Sequence, residues 1–204
     1  MRVLAFDLSS KTGWALLEGE PGKDPKLIKY GQIDVPIKNF NVNNDPNKQP
    51  EYPYNIIDAG IEVSKMVMEV IGLENPDLII AENTVKGRNR HTQRYLEFLH
   101  FAFLMALRNT ETTKDVPFIY LDPSEWRKRL NVRLTKEDKK NNGKVYKAKK
   151  TGKTKKELGV KGKITVKHVS VRVINRIFGT KFIVKDNNIS DAIGLGAAAF
   201  VDGE

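Results

Sequence analysis

The chain has 204 residues, 40% of them hydrophobic and 29% charged, which is the composition of a globular domain with room for a sizeable core. It contains no cysteine, which excludes disulfides and thiolate metal sites and fits a reducing cytoplasm. The formal net charge of +10 favours a polyanionic partner such as nucleic acid, and no apolar run is long enough to predict a membrane span.

The start of the chain predicts an antiparallel sheet. Short apolar runs separated by turn residues predict three strands, at residues 3–8, 14–17 and 27–35. The stretch 36–53 is rich in Asn, Pro and Lys and predicts a loop.

A helix is predicted over residues 54–73, where apolar side chains recur at helical spacing. One row consists of Ile56, Val63, Val67 and Val70. A second stripe beside it consists of Ile57, Ile61, Met68 and Ile71. Because the two rows together make a wide apolar stripe, we expect this helix to be well covered by the rest of the fold.

Strands and helices then alternate. The pattern predicts strands at 78–81, ending at Glu82, and at 118–121. It predicts helices at 92–108, from Pro123, at 165–178 and from about Asn188. An antiparallel start followed by alternation predicts an α/β fold with a mixed five-stranded sheet flanked by helices, as a single domain over residues 1–204.

A lysine-rich insertion occupies residues 132–164, before the last two helices. Between Lys136 and Lys163 nearly every second or third residue is Lys and few residues are large and apolar, which predicts a mobile arm or an extended hairpin. Either this segment is a solvated insertion without a role, or it contacts DNA phosphates. The lysines expected to make such contacts are Lys149, Lys150, Lys153, Lys155 and Lys156.

Three carboxylates fall at the ends of predicted core elements. Asp7 ends the first strand, Glu82 ends the fourth, and Asp191 follows the start of the last helix. Because ligands gather at the carboxyl ends of strands in α/β sheets, these acids could surround a pair of divalent ions. Each acid also has a plainer explanation: Asp7 could bond the following turn, and Glu82 could begin a loop after a buried strand. With Asn188 as the N-cap, Asp191 would be the third helical residue and support that cap.

The sequence resembles the RuvC-type Holliday junction resolvases of the RNase H-like superfamily, particularly their phage members. The segments that carry the resemblance are Asp7 to Trp14, Ile79 to Asn83, Asp122 to Arg127 and Asn188 to Leu195. The resemblance implies an RNase H-like fold and cleavage of four-way DNA junctions by a homodimer. It also implies two Mg²⁺ or Mn²⁺ ions per site and a cytoplasmic location in a bacterial or phage-infected cell.

The same resemblance implies the metal ligands. Asp7, Glu82 and Asp191 match three of the four acidic positions of the family. The fourth is usually an acid three residues before the last one, and this chain has Asn188 there. An amide oxygen can coordinate a metal without adding charge, and Asp186 is a reserve candidate for the fourth ligand.

A second group of candidates lies in the basic loop that follows the fourth strand, where the resemblance implies contact with the centre of the junction. The expected DNA contacts are Lys86, Arg88, Asn89, Arg90 and Arg94. A solvated start of a helix is the alternative. His91 is more typical of a surface residue than of a proton-transfer group, and the spacing of Tyr95 and Phe98 favours core or dimer packing over wedging into DNA.

Two other functions fit the same residues. One is a nuclease of the same fold that cuts RNA–DNA hybrids or flaps. The other is a DNA-binding relative without catalysis, which the neutral Asn188 suggests. The actin-like ATPases also begin with an Asp after a strand, but they need a second domain for which this chain is too short.

Overall fold

The described part of the chain forms one mixed sheet of five strands with helices on both faces. The computed structural model describes residues 1–35, 52–83, 90–152, 154, 156–157, 159–160 and 162–201. The strands are β1 (Arg2–Asp7), β2 (Lys11–Glu18), β3 (Lys26–Asp34), β4 (Leu78–Glu82) and β5 (Phe118–Leu121). The helices are α1 (Tyr54–Glu74), α2 (Arg90–Asn109), α3 (Pro123–Arg129), α4 (Lys136–Thr151), α5 (Val166–Phe178) and α6 (Asn187–Ala197). A short 3₁₀ turn, Val184–Asp186, precedes α6.

The strand order is β3-β2-β1-β4-β5. β1 to β3 pair antiparallel, because short turns connect them, whereas β4 and β5 join parallel to β1 through the crossover helices α1 and α2. The mixed five-stranded α/β sheet predicted from the sequence is confirmed. The parallel pairing brings the carboxyl ends of β1, β4 and β5 to one edge of the sheet, which is the edge where ligands bind in such folds.

The two faces of the sheet bury different cores, because side chains alternate along each strand. In β1, Leu4 and Phe6 pack against α1 and α2, whereas Val3 and Ala5 pack on the face covered by α3, α5 and α6. The second face receives α6, whose Ala192, Ile193 and Leu195 are fully buried. An acid at the end of β1 therefore faces α6 if it continues the alternation of Val3 and Ala5.

The α1/α2 layer departs from its prediction on the outer side of α1. The inner row is buried as expected, with Val63 and Val67 fully enclosed. The second stripe is covered only in part: Ile71 is 1% exposed, whereas Ile61 is 41% exposed and Met68 lines an open apolar groove between α1 and α2. The expectation that this helix is well covered is therefore wrong at Ile61 and Met68 and confirmed at Ile71. No helix in the described part of the chain is long and apolar enough to cross a bilayer.

The lysine-rich segment contains a helix, so the predicted mobile arm or extended hairpin is wrong for residues 136–151. Lysine is a good helix former, and Thr135 and Asp138 make a capping box in which each side chain accepts the other's backbone N–H. Asn141 and Asn142 then tie α4 to the segment before α5, by donating to the carbonyls of Gly162 and Ile164. The assignment of residues 132–164 to an insertion within a single domain stays a prediction.

Helix α6 begins two residues earlier than an N-cap at Asn188 would place it. Its first residue is Asn187 and its N-cap is Asp186, so Asp191 lies in the second turn and is not the third helical residue. This excludes the plainer explanation in which Asp191 only supports the cap. The first turn of α6 sits tightly against β2, because a Cβ at Gly13 would overlap the backbone carbonyl of Asn188. Only glycine allows this approach.

Candidate active site

Asp7 and Glu82 end two neighbouring parallel strands. β1 and β4 are in register up to the pair Phe6–Ala81, so the residues that follow, Asp7 and Glu82, lie side by side. Asp7 shares the face of Ala5, which packs on the α6 side of the sheet, and Glu82 lies on the corresponding face of β4. The two carboxylates therefore extend toward α6 from the carboxyl edge of the sheet.

Asp191 meets them from α6. This helix packs across β1, β2 and β4 and buries Asp191, which is only 5% exposed. The charge of Asp191 acts on both other acids, since it raises the pKa of Asp7 and of Glu82. The three acids, widely separated in the sequence, therefore form one group, which we call the acidic cluster (Asp7, Glu82 and Asp191).

The surroundings of the acidic cluster disfavour the ionised form of its carboxylates. Burial raises the pKa of Asp7 well above its ordinary value, and the carboxylates of Glu82 and Asp191 raise it further, while Lys167 and Arg127 lower it. Burial also raises the pKa of Glu82 and of Asp191. Desolvation and like charge both disfavour ionised carboxylates, so a cation bound here would relieve the repulsion.

Two residues of α3, Trp126 and Arg127, hold the cluster and were not assigned a role from the sequence. The buried indole Nε1–H of Trp126 donates to Glu82 at 3.0 Å. The guanidinium of Arg127 lies 3.9 Å from Glu82 and 3.5 Å from Asp191, and it stacks over the Trp126 ring at 4.9 Å. The only sequence signal for them was their inclusion in the segment from Asp122, which carried the family resemblance.

Helix α5 supplies one further contact and one further positive charge. The buried Ser170 hydroxyl donates to the carboxylate of Asp191, and the positive charge of Lys167 lowers the pKa of all three acids. Ser170 was missed by sequence reasoning, although a polar residue between the buried Val169 and Val171 was a usable signal. The polar contacts orient Asp191 without neutralising it.

The oxygen donors of the cluster suit Mg²⁺ or Mn²⁺, which prefer carboxylate and amide oxygens. In the described part of the chain, however, no three His, Asp or Glu side chains stand close enough to hold an ion in their present positions. The carboxylate of Glu82 is engaged by Trp126 and Arg127, and that of Asp191 by Ser170 and Arg127. The donor chemistry therefore fits a divalent metal, while the cation nearest these two acids is the guanidinium of Arg127.

Comparison with known proteins rests on structure. No protein-family model matches the sequence, and no curated protein matches it either. RuvC from Thermus thermophilus, in a complex with a Holliday junction substrate, superposes with a TM-score of 0.59 and 13% identity, covering 97% of this chain and 92% of that one. The yeast mitochondrial Holliday junction resolvase Ydc2 superposes with a TM-score of 0.53 and 13% identity, covering 98% of this chain and 77% of that one.

The chain has the fold of RuvC. A second structure of Thermus thermophilus RuvC gives the same TM-score of 0.59 at 14% identity. The RNase H-like fold implied by the sequence resemblance is thereby confirmed, and the identity is too low to carry the activity across with it.

The candidates for a fourth ligand in this RuvC-like fold are both engaged elsewhere. The Asn188 amide donates to the carbonyl of Lys11 at 2.6 Å, which fixes the first turn of α6 on β2. The Asp186 carboxylate accepts the N–H of Ile183 at 2.8 Å, in the 3₁₀ turn. Neither contact tests a role in metal binding, so both assignments stay predictions.

The predicted basic loop is described only at its end. Lys86, Arg88 and Asn89 lie outside the described residues, as do the side chain of His91 and the lysines Lys153 and Lys155. Arg90 begins α2 and is exposed. The guanidinium of Arg94 donates to the Tyr52 hydroxyl at 2.6 Å and lies over that ring, so it is held in place on α2.

The remaining predicted contacts occupy different surroundings. Lys149, Lys150 and Lys156 are exposed at the end of α4 and beyond it. Tyr95 is 3% exposed and belongs to the core, whereas Phe98 is 38% exposed on the open side of α2. The prediction of core or dimer packing for these aromatics is confirmed for Tyr95.

Proposed function

We propose that the protein is a metal-dependent endonuclease that cuts branched DNA, and four-way junctions in particular. The acidic cluster carries this proposal: three carboxylates from three separate elements converge at the carboxyl edge of a RuvC-like sheet. RuvC of Thermus thermophilus was solved with a Holliday junction substrate, and yeast Ydc2 is described as a Holliday junction resolvase. The net charge of +10 supports a polyanionic substrate.

Asp7, Glu82 and Asp191 would hold Mg²⁺ or Mn²⁺, with two ions per site. Such ions, when bound, activate a water for attack on a phosphodiester and stabilise the leaving oxygen. Asp7 is the central ligand in this proposal, because the charges of both other acids act on it. Asn188 would be a neutral fourth donor on the face of α6 that carries Asp191, with Asp186 in reserve.

The DNA would be held by the basic groups around this edge. Arg90 and Arg94 at the start of α2 follow the loop after Glu82 in the chain, so in this proposal they would lie near the mouth of the cluster. The lysines Lys149, Lys150 and Lys156 would contact phosphates without reading sequence. The proposal includes further DNA contacts by Lys86, Arg88, Asn89, Lys153 and Lys155.

A homodimer is also part of the proposal, with the α1/α2 groove as the interface. This groove, of about 880 Å³, is lined by apolar side chains that include Phe101 at 64% exposure and Met105 at 47%. Lys65 and Glu69 lie beside it. In a two-fold dimer the same patch faces itself, so Lys65 of one copy can pair with Glu69 of the other while the apolar strip is buried.

Light scattering tests the dimer. At micromolar concentration we expect about twice the 23.1 kDa of the chain, and the Phe101→Glu variant should be monomeric because it introduces a charge into the apolar strip. Tyr146→Glu, which changes an aromatic residue 70% exposed on α4, is the matched control and should stay dimeric. A monomeric wild type, or a dimer unaffected by Phe101→Glu, would exclude this interface.

A substrate panel tests the nuclease proposal itself. Synthetic four-way junctions, forks, flaps and RNA–DNA hybrids are incubated with the protein in Mg²⁺, in Mn²⁺ and in EDTA. We expect paired, symmetric nicks in the four-way junction with either metal, 5′-phosphate and 3′-hydroxyl ends, and no cleavage in EDTA. Asp7→Asn should bind the junction without cutting it.

The other outcomes of the panel identify the alternatives. Cleavage confined to flaps or hybrids would assign the same site to a flap-type or RNase H-type nuclease. Junction binding with no cleavage in either metal would favour the non-catalytic relative, for which the neutral Asn188 and the Arg127 guanidinium beside two of the acids are the relevant observations.

A further inference from the structure

A second basic feature lies outside the acidic cluster and outside the lysines predicted from the sequence. It is a cleft of about 510 Å³ between the start of α4 and one face of α5. We call it the basic cleft, and its cationic side chains are Arg133, Lys136, Lys139, Arg172 and Arg176.

The basic cleft carries a surplus of positive charge. Its buried acid, Asp138, is 3% exposed and accepts both N–H groups of the Arg172 fork, at 3.2 and 2.6 Å. This contact, together with the backbone N–H of Thr135, holds the pKa of Asp138 well below its ordinary value. The charge of Glu137 also acts on Arg172.

The other four cations of the cleft are unneutralised. Within the described ranges, no carboxylate lies at ion-pair distance from Arg133, Lys136, Lys139 or Arg176. All four are exposed. Like charges gathered in a concave site repel one another unless an anion joins them.

Rigid elements fix this arrangement. The capping box of Thr135 and Asp138 sets the start of α4, and Arg172 of α5 donates a hydrogen bond to Asp138. On α5 the arginines of the cleft follow the buried Val169 and Val173, which pack into the core. The helices that carry these cations are therefore held in place by a capping box, an ion pair and core packing.

The cleft is a short distance from the acidic cluster along one helix. Lys167, whose charge acts on all three acids, and Arg176 are nine positions apart on α5. Nine residues of α-helix rise roughly 13 Å along the axis, and they turn so that the two side chains lie on opposite sides of a helix about 10 Å wide. A nucleic-acid strand advances roughly 3.4 Å per nucleotide, so the separation corresponds to a few nucleotides.

We infer that the basic cleft binds backbone phosphates of a DNA duplex arm, a few nucleotides from the phosphate at the acidic cluster. This inference rests on the proposed function for its ligand, because DNA is the polyanion that a nuclease brings to this edge. The contacts carry no base information, so they contribute affinity and orient the arm for any sequence.

Binding measurements in EDTA test the inference without cleavage. The cleft variant Lys139→Gln with Arg176→Gln removes two cations that have no ion-pair partner in the described structure. The control, Lys26→Gln with Arg108→Gln, removes the same two residue types from the opposite end of the sheet. Fluorescence anisotropy then gives the Kd for a four-way junction and for a linear duplex over a series of salt concentrations.

The cleft variant should bind both DNAs about tenfold or more weakly at physiological salt, and the slope of log K against log salt should fall by about 2. The control should keep the wild-type slope. Should the cleft variant melt differently from wild type, Arg133→Gln with Lys136→Gln replaces it, with the same expected change.

An unchanged slope in the cleft variants, or an equal loss in the control, would overturn the inference. These outcomes are independent of cleavage by the wild type. If the wild type cuts junctions and the cleft variants bind DNA normally, the nuclease proposal stands and the basic cleft is excluded as a DNA site. If the wild type cuts no substrate and the cleft variants lose affinity for DNA, the basic cleft stands as a DNA site and the nuclease proposal is excluded.

Discussion

Asp7→Asn should make the metal-free protein more stable at neutral pH and should also reduce junction cleavage. Loss of a residue that only hydrogen-bonds a metal ligand lowers activity by up to roughly 100-fold, and loss of the ligand Asp7 should lower it by more. The amide keeps the shape of the carboxylate and removes one negative charge from the acidic cluster. Because burial and the charges of Glu82 and Asp191 raise the pKa of Asp7, the ionised Asp7 destabilises the folded state. A gain in stability with a loss of activity distinguishes a functional acid from a structural one.

The effect should depend on pH with a defined sign. The folded-state pKa of Asp7 lies above the unfolded value of about 3.9, so the folded wild type binds the proton more tightly. The stabilisation by this proton is complete below the unfolded pKa and is lost as pH rises through the folded pKa. The stability advantage of Asp7→Asn should therefore be small near pH 4 and grow toward pH 8.

Urea unfolding in EDTA between pH 4 and pH 8 measures this difference. Asp58→Asn, on an exposed position of α1, is the matched control and should follow the wild type throughout. Equal stability of Asp7→Asn and wild type at every pH would mean that Asp7 is not part of a repelling cluster.

Arg127→Gln should have the opposite effect on stability. The guanidinium is within 3.9 Å of Glu82 and 3.5 Å of Asp191, and its side chain is 27% exposed. Removing it leaves these acids without their nearest cation. The expected loss is about 2 kcal/mol, less than the roughly 3–5 kcal/mol typical of a fully buried pair because solvent screens part of the interaction.

The same variant should respond more strongly to metal. A divalent ion that binds only the folded state stabilises it according to its concentration and affinity. With the guanidinium absent, the ion no longer competes with it for Glu82 and Asp191, so the rise in Tm on adding Mn²⁺ should be larger in Arg127→Gln than in wild type. Thermal unfolding with and without Mn²⁺ measures both effects.

Lys128→Gln is the control for Arg127→Gln. It removes a positive charge from the adjacent, exposed position of α3 and should change neither the Tm nor the Mn²⁺ response. If Arg127→Gln has the Tm of the wild type and the same rise in Tm on adding Mn²⁺, the contacts of Arg127 with Glu82 and Asp191 contribute nothing to stability.

The sequence predicted the sheet and the acidic cluster because both follow from local periodicity. Alternation along β1 and β4 puts their terminal acids on one face, and parallel pairing puts them at one edge. Asp191 joined this group from its place near the start of the last helix, where a helix cap was its plainer explanation, and the observed start of α6 at Asn187 removed that explanation.

The contacts around the cluster could not be predicted because they join residues far apart in the chain. Trp126 reaches Glu82 across 44 positions, and Arg127 reaches Asp191 across 64. No local pattern encodes such pairs. The α4 helix was predictable in part, because Thr135 and Asp138 have the spacing of a capping box and lysine is a good helix former. The segment has too few apolar residues to show a helical period, however.

The apolar stripe of α1 illustrates a different limit. Periodicity identifies an apolar surface without identifying what covers it. The row of Val63 and Val67 is buried by α2 and the sheet, whereas Ile61 and Met68 line the groove that we assign to a second copy of the chain. The pattern alone cannot separate a core face from an interface.

Direct titration with Mn²⁺, by calorimetry on the metal-free protein at pH 7.5, tests whether the three acids share divalent ions. The wild type should bind Mn²⁺, and Asp7→Asn, Glu82→Gln and Asp191→Asn should each weaken that binding by more than tenfold, while Asp58→Asn leaves it unchanged. Mn²⁺ binding that is the same in wild type and in all three cluster variants would contradict a metal site at the acidic cluster.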